Sequence, residues 1–280
     1  MRELPPFARM KTRAQRYGGR MARSLPGSGL RHDCAFMHLP KCGGTSVSEA
    51  LYATVPLHLK IGILDSPSIR TGQALFHTGR ADDSYHDEGP NAETVAAFRE
   101  QLLLMHMAHG CRLVHGHFLF SETAWREFGA RYRYVTIMRD PVERTISNFR
   151  MDRRTGTFSG DLDSFLSSEE GRLKAQHALR FLSGRARIAP GAEADALAIA
   201  LTNLERFSLV GFLDDLPGFA ADFAAMFGPR PWIARHNEAS DAGVTLSGAQ
   251  RARLAELCAP DIALYDAARA RFASKKGDAA

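Results

Sequence analysis

The sequence predicts an α/β fold in which a central, mostly parallel sheet is flanked by helices. Short apolar segments alternate along the chain with longer segments of helical periodicity, which is the pattern of such a sheet. Residues 132–138 are apolar nearly throughout, as expected for a parallel strand that is buried on both faces. The chain has 280 residues, 45% of them apolar and 24% charged, so one large domain can bury a sizeable core without disulfides.

The first 31 residues form a basic segment. They carry eight basic side chains and one acidic one, a net of +7, and because the whole chain sums to +5 the remainder is close to −2. We predict a solvated, disordered tail at 1–31 and a single domain at 32–280. The tail could also serve organelle targeting or make weak contact with an anionic membrane surface, but the nearly neutral body predicts no nucleic-acid partner.

The remaining global features indicate a cytoplasmic protein. No run of 18 apolar residues predicts a transmembrane helix, and the N-terminus lacks the apolar stretch of a secretory signal. The four cysteines form no CxxC pair and no regular framework, which favours a reducing compartment. The oligomeric state cannot be read from these features.

The elements follow one another in a regular order. Strands are predicted at 34–39, 111–114, 132–138 and 207–213, and helices at 45–52, 91–109, from 141 onward, at 246–258 and at 261–272. Residues 60–90 show weak periodicity and are rich in Gly, Ser, Asp and His, so we predict an irregular segment that helps to shape the acceptor site.

A loop suited to holding an anion follows the first strand. Residues 38–46 read HLPKCGGTS, with a lysine, two glycines and two hydroxyls before a helix start. Backbone N–H groups at a helix N-terminus attract phosphate, and glycines allow close approach. The lysine precedes the glycines, so this P-loop-like segment is not the Walker sequence. A tight turn with no ligand is the alternative, in which Cys42 is a small turn residue rather than a reactive one.

A second candidate anion site follows the strand at 132–138. Arg139 stands at the carboxyl end of that strand, where open α/β sheets bind ligands. Asp140 and Pro141 suit the cap and first position of a helix, and Glu143 would complete a capping box. Ser147 lies about two helical turns beyond Arg139, so both could reach one phosphate. The alternative is a capped helix with an exposed arginine.

Together the two loops resemble the paired phosphate sites of the sulfotransferase family, over most of residues 33–150. The resemblance implies a P-loop-like three-layer sandwich that uses 3′-phosphoadenosine 5′-phosphosulfate (PAPS) as co-substrate and needs no metal. It implies that Arg139 and Ser147 bind the 3′-phosphate. It assigns the 5′-phosphosulfate end to the first loop, namely Lys41, Cys42, Gly43, Gly44, Thr45 and Ser46.

Two histidines end the strand before the second site. Sulfonate transfer to an alcohol needs a base, and histidine is a common one. His115-Gly116-His117 resembles the uronosyl 2-O-sulfotransferase group, which implies that His117 is the base, His115 supports it and Lys41 neutralises the leaving phosphate. Structural histidines, or half of a metal site with His106 and His109, are the alternatives. If the base is a glutamate instead, Glu49 and Glu143 are the candidates.

The C-terminal third offers weaker signals. Arg235, Asn237 and Ser240 faintly resemble a late loop that closes over the nucleotide in this family. An ordinary polar loop is the alternative. Residues 261–266 resemble the common terminal helix of the group and are expected to pack rather than react.

The predicted acceptor is a carbohydrate or another hydroxyl-bearing molecule. Basic side chains that could line an acceptor groove, or simply be solvated, are Arg150, Arg153, Arg154, Arg180, Arg185 and Arg187. Two other functions compete with sulfonate transfer. One is a P-loop-like nucleotide or sugar kinase, although a Walker lysine and a magnesium ligand are not evident. The other is a non-enzymatic nucleotide-binding module with a basic tail.

Overall fold

The computed structural model describes residues 14, 16–81, 85, 89–233 and 246–273. Within them, five strands form one sheet in the order β2-β3-β1-β4-β5, and every strand pair is parallel. The strands are β1 (Asp33–Met37), β2 (Ile61–Leu64), β3 (Leu113–Gly116), β4 (Tyr132–Met138) and β5 (Phe207–Phe212). The predicted α/β fold with a parallel central sheet is therefore confirmed.

Helices cover the sheet and provide the crossovers between its strands. They are α1 (Gly44–Tyr52), α2 (Ser66–Thr78), α3 (Ala92–Ala108), α4 (Glu122–Phe128), α5 (Pro141–Thr155), α6 (Leu162–Ser167), α7 (Glu169–Ala175), α8 (His177–Ser183), α9 (Glu193–Leu204), α10 (Leu216–Phe227) and α11 (Gly248–Phe272). β1 is buried at every residue, as is β4 except at Arg133, because helices lie on both faces.

The expectation of an irregular segment at 60–90 was wrong for its first half. β2 and α2 both lie there. β2 is a four-residue edge strand in which Ile63 is 42% exposed, so it lacks the continuous apolar pattern that marks the central strands. Asp65 caps α2 by accepting a hydrogen bond from the Ser68 N–H at 3.0 Å, and Pro67 lies in the first turn.

The two predicted C-terminal helices are one helix. α11 runs through Pro260 without a break, although proline removes a backbone donor and disfavours a helix interior. α11 packs against α5, α7, α8 and α9 and against β5. Leu254 and Leu264, on either side of the proline, are fully buried. Tertiary packing therefore outweighs the local preference for a break.

Part of the predicted disordered tail contacts the domain. Residues 16–22 are helical, and the Arg20 guanidinium donates to the carbonyls of Val55, Pro56 and Leu59. Leu30 is buried in the main core. Residues 1–13 lie outside the described residues. No helix in the described ranges combines the length and apolar character needed to cross a bilayer.

The strand order creates a switch point at the middle of the sheet. From β1 the chain crosses towards β2 on one side, whereas from β4 it crosses to β5 on the other. At such a point the loops after two neighbouring strands separate and leave a crevice at the carboxyl ends, where open α/β sheets bind ligands. The crevice between β1 and β4 is therefore where a ligand site is expected.

Candidate active site

The two predicted anion loops lie side by side at this crevice. Met37, the last residue of β1, pairs with Thr136 of β4, and the Thr136 hydroxyl donates to the Met37 carbonyl at 2.8 Å. Burial raises the pKa of the Cys42 thiol to about 11, and the nearby guanidinium and main chain of Arg139 oppose that rise. The sequence-predicted residues Cys42 and Arg139 are thus neighbours. The raised pKa makes Cys42 an inert thiol at neutral pH.

Lys41 has an unusual backbone conformation. Its φ is 65°, and among the described non-glycine residues it alone has a positive φ. A side chain in the left-handed region costs about 1–2 kcal/mol, and such strain concentrates at ligand-binding sites. The strained residue is therefore the one that sequence motifs predict to contact the donor.

Positive charges converge around the Lys41 ammonium. Burial lowers the pKa of Lys41, and Arg154 and Arg139 lower it further, while Asp152 opposes them. The Asp152 carboxylate is itself held by Lys174 at 2.5 Å. Like charges placed together repel one another unless an anion lies between them. The arrangement thus suits an anionic ligand, and Arg154 is a member that sequence reasoning did not place there.

The N-terminus of α1 begins at a glycine without a side-chain cap. Its N-cap, Gly43, has φ 77° and no side-chain cap, and the first turn holds no acidic residue. A Cβ at Gly43 would meet Leu213 Cδ1 at 2.6 Å, so both conformation and space favour glycine. Ser46 lies in the first turn and is half-buried. An uncapped helix start of this kind can accept a phosphate or sulfonate group.

In the second loop, side chains cap the helix that follows and form an ion pair. Asp140 caps α5 by accepting a hydrogen bond from the Glu143 N–H at 2.9 Å, and Pro141 occupies the first turn, both as predicted. The Glu143 carboxylate lies 3.7 Å from the Arg139 guanidinium, which leaves only half of the predicted capping box. Glu143 is 60% exposed, so this ion pair is weak and Arg139 can exchange it for a ligand.

Ser147 lies two turns into α5 and is half-buried. Among the described residues, no hydrogen bond joins it to Arg139. The expected pairing of Arg139 and Ser147 on one phosphate therefore stays a prediction.

His115 is locked by two hydrogen bonds. Ser48 Oγ lies 2.7 Å from its Nε2 and Tyr52 Oη lies 2.8 Å from its Nδ1, and both partners belong to α1. Burial, with His38 nearby, lowers the pKa of His115 to about 3, so the ring is neutral at pH 7. His115 joins α1 to β3 and has no ring nitrogen left for a substrate. Its supporting role in catalysis stays a prediction.

His117 is held through one ring nitrogen. Its Nδ1 lies 2.6 Å from the His38 main-chain carbonyl, and because a carbonyl only accepts, Nδ1 holds the proton and Nε2 the lone pair. Burial is the largest cause that lowers the pKa of His117, followed by the charges of His38 and Arg99. A neutral imidazole with its Nε2 lone pair available can accept a hydroxyl proton.

His38 is a third histidine of this cluster and was not singled out from the sequence. Its ring stacks on that of His117 at 4.4 Å between centroids and on that of His115 at 5.5 Å. The register of β1 and β3 pairs Phe36 with His115 and Met37 with Gly116, so His38 comes beside His117. Only the cross-strand register reveals this neighbour, since 79 residues separate His38 and His117.

The alternative assignments made from sequence do not converge here. His106 lies 3.8 Å from the Cys111 sulfur and His109 lies 2.7 Å from Lys60 Nζ. His106 lies in the last turn of α3 and His109 ends that helix, so both precede β3, whereas His117 follows it. The Glu49 carboxylate faces Arg16 at 3.7 Å, and burial raises the pKa of Glu49. No described group of three His, Cys, Asp or Glu side chains is arranged to hold a metal ion.

Most of the arginines proposed for an acceptor groove have other partners. Arg180 is buried, and Arg153 donates to the carbonyls of Ser159 and Gly160. Arg185 and Arg187 form ion pairs with Asp195 and Glu169. The late-loop candidates Arg235, Asn237 and Ser240 lie outside the described residues.

A groove of about 690 Å³ lies elsewhere, between α3, α4 and α9. Its lining includes Glu93, Glu100, Glu122 and Arg206 but none of the anion-loop residues or clustered histidines. Glu100 accepts a hydrogen bond from Ser121 and Glu122 pairs with Arg206, so these charges are partly satisfied within the protein. The anion loops and the clustered histidines lie at the switch point and not in this groove, so we take the switch-point crevice as the candidate site.

Comparisons with known proteins do not assign a family. No protein-family model matches the chain, and a search of the curated proteins found no match.

Proposed function

We propose that this chain is a PAPS-dependent sulfotransferase that transfers the sulfonate group to a hydroxyl, with a carbohydrate as the acceptor. One observation carries the proposal. The switch-point crevice brings the Lys41 loop and Arg139 together, and His117 directly follows β3, which pairs with β1 on its other side. Two anion-binding ends and one neutral base are what in-line sulfonate transfer between a doubly phosphorylated nucleotide and an alcohol requires.

The donor binds across the two loops. The uncapped start of α1 and the Lys41 ammonium hold the 5′-phosphosulfate, and Arg139 holds the 3′-phosphate. Asp140 already caps α5, so the second loop contributes a side chain rather than open backbone donors. The bisphosphate thus relieves the repulsion among the cations of the crevice.

The reaction is a direct displacement at sulfur. The acceptor oxygen forms a bond to sulfur while its proton passes to His117 Nε2, and the bond between sulfur and the bridging oxygen of the 5′-phosphate breaks. That oxygen leaves with the electron pair, and Lys41 stabilises its charge. Preorganised donors of this kind contribute about 3 kcal/mol each to transition-state stabilisation.

The state of the thiols bears on the compartment that we propose for the enzyme. All four cysteines, Cys34, Cys42, Cys111 and Cys258, are free and buried. This supports a reducing, cytoplasmic compartment for the enzyme.

Ligand-induced thermal stabilisation tests the donor assignment. Adenosine 3′,5′-bisphosphate should raise the melting temperature far more than ADP with magnesium, because a ligand that binds only the native state stabilises it. Arg139→Ala should abolish this response. Arg126→Ala is the matched control, since Arg126 is 66% exposed on α4 and, within the described part of the chain, pairs with its neighbour Glu127. A stronger response to ADP with magnesium would support a kinase and contradict the proposal.

The base assignment has its own test. His117→Ala should retain the bisphosphate response and lose transfer of labelled sulfonate to a panel of glycans by about 100- to 10,000-fold. Normal turnover by this variant would rule out His117 as the base.

A further inference from the structure

We propose that the His38 side chain is a positioning residue for His117. The His38 ring stacks on the His117 ring and keeps the Nε2 of His117 directed at the acceptor hydroxyl. The role in catalysis rests on the proposed sulfotransferase function. The geometric part, that His38 fixes the orientation and tautomer of His117, stands independently of it. His38 directly follows β1 and begins the loop that holds Lys41, so it joins the base to the donor site.

The contact between the two rings is close and nearly parallel. Their centroids lie 4.4 Å apart and their planes differ by 25°. The same residue supplies the carbonyl that accepts the His117 Nδ1–H at 2.6 Å. His117 is thus held by His38 twice, through the face of the ring and through Nδ1.

The other neighbours of His117 leave the orientation to His38. Phe181 of α8 meets the His117 ring edge-on at 6.3 Å and supplies no polar atom. His115 is committed to Ser48 and Tyr52 of α1. Of the residues the structure describes, only His38 both stacks on the His117 ring and hydrogen-bonds to it.

The stack also suits the charge change during transfer. Two stacked imidazolium rings would repel strongly, so the pair holds at most one proton near neutral pH. When His117 accepts the hydroxyl proton, it becomes a cation over the face of a neutral aromatic ring, which is an attractive arrangement. The charged or titratable groups that face His117 are His38, which follows β1, His115 of β3 and Arg99 of α3. Burial and the charges of these groups lower the pKa of His117, whereas the hydrogen bond to the His38 carbonyl raises it.

The matched variants His38→Phe and His38→Leu separate stacking from mere packing. Both are apolar and of similar volume, so both fill the site, but only phenylalanine offers a flat ring. We expect His38→Leu to lower kcat about 100-fold, the size of effect that misplacing a reacting group causes, with the KM for PAPS unchanged. We expect His38→Phe to stay within about threefold of the wild type, because stacking is retained. His58→Phe, an exposed histidine in the turn before β2, is the control.

A second readout does not depend on activity. Long-range ¹H–¹⁵N correlation spectra of the histidine rings report which nitrogen holds the proton. The wild type, His38→Phe and His58→Phe should show His117 protonated at Nδ1 alone. In His38→Leu the main-chain carbonyl remains, but without the stack the His117 ring can turn away from it, so a mixture of both tautomers is expected. A His38→Leu protein with wild-type kcat and a single His117 tautomer would overturn the proposal, as would equal losses of kcat in the two His38 variants.

The two proposals can fail separately. If the wild type neither responds to adenosine 3′,5′-bisphosphate nor transfers sulfonate, the sulfotransferase assignment fails. The tautomer spectra of His38→Leu and His38→Phe still decide the geometric part of the inference in that case. If the wild type is active and the two variants do not differ, only the role of His38 fails.

Discussion

The two loops at the switch point are built in opposite ways. The loop before α1 is strained at Lys41, and its N-cap residue Gly43 makes no side-chain cap. The loop before α5 is capped by Asp140 and offers a guanidinium at its rim. A site for two phosphates therefore uses backbone donors at one end and a side chain at the other, and each end is prepared by the local structure of its own helix.

The supports beneath the two helices differ as well. α1 is tied to β3 by neutral hydrogen bonds from Ser48 and Tyr52 to His115. α5 is tied to α11 by a buried ion pair, in which the Arg144 guanidinium lies 2.9 Å from the Asp261 carboxylate. The first support is made of neutral groups, whereas the second is made of opposite charges. Four experiments would break or sharpen this contrast.

Removing the charge beneath α5 should have the largest effect. Asp261 is fully buried and also accepts hydrogen bonds from the main-chain N–H groups of Ala178 and Leu179, both at 2.8 Å. Asp261→Ala would leave Arg144 buried without its counterion, so we expect the free energy of unfolding to fall by about 3–5 kcal/mol. Urea unfolding would measure the loss. A decrease below about 1 kcal/mol would show that the ion pair does not hold α5 in place.

Acid should weaken the support beneath α1. The folded-state pKa of His115 is about 3, below its ordinary value of 6.5. Between these two pH values, His115 is protonated in the unfolded chain and neutral in the folded one. The stability contributed by this group is complete above pH 6.5 and is lost progressively as the pH falls, by about 1.4 kcal/mol per pH unit.

A matched comparison isolates the contribution of His115. Urea unfolding of wild type and His115→Phe between pH 7 and pH 5 should give a smaller decline for the variant, because the other titrating groups are common to both. Parallel declines in the two proteins would contradict the assignment.

Loss of the cap on α5 should be a smaller change. Asp140→Ala is expected to lower the free energy of unfolding by about 1 kcal/mol. Asp161→Ala removes a similar cap from α6, where Asp161 accepts from the Ser164 N–H at 2.8 Å, and should cost a comparable amount.

The two cap variants should differ in ligand response, because Asp140 lies beside the crevice and Asp161 caps a different helix. Asp140→Ala also removes a negative charge beside the crevice, so its response to adenosine 3′,5′-bisphosphate, measured by thermal shift, should be as strong as that of Asp161→Ala or stronger. A weaker response would mean that Asp140 orients Arg139.

Relieving the strain of the first loop should have the smallest effect and the opposite sign. Lys41→Gly removes a side chain from a left-handed position, and we expect stability to rise by up to about 1 kcal/mol after the greater freedom of glycine in the unfolded chain is counted. Lys41→Ala removes the ammonium but keeps the strain, so it is the control. Urea unfolding should rank Lys41→Gly above Lys41→Ala, and the reverse order would show that the backbone is not strained.

Local sequence patterns were sufficient for much of the fold. Four of the five described strands and the starts of α1 and α5 were predicted, because continuous apolar runs, glycines and capping residues act over a few neighbours. β2 was missed because an edge strand is only half-buried. The break at Pro260 was wrongly predicted because packing against distant helices, absent from local sequence, holds α11 together.

The candidate site shows the same division. Lys41, Arg139 and His117 could be selected by residue type and by their position after strands. His38 could not, because its role depends on which residue of β3 it meets. Arg154 lies 15 residues beyond Arg139 in sequence, and only the three-dimensional arrangement brings it towards Lys41. Pairings between distant segments were the part that sequence alone could not provide.

The supports of the two loops join segments that are far apart in the chain. Ser48 and His115 are separated by 67 residues, and Arg144 and Asp261 by 117. Closing such distances is slow and happens late in folding, so neither loop can take its final shape in a local fragment. The crevice is consequently assembled and lost with the domain as a whole. A bisphosphate bound there would slow complete unfolding of the domain. Segments distant from the ligand would therefore also stay folded for longer.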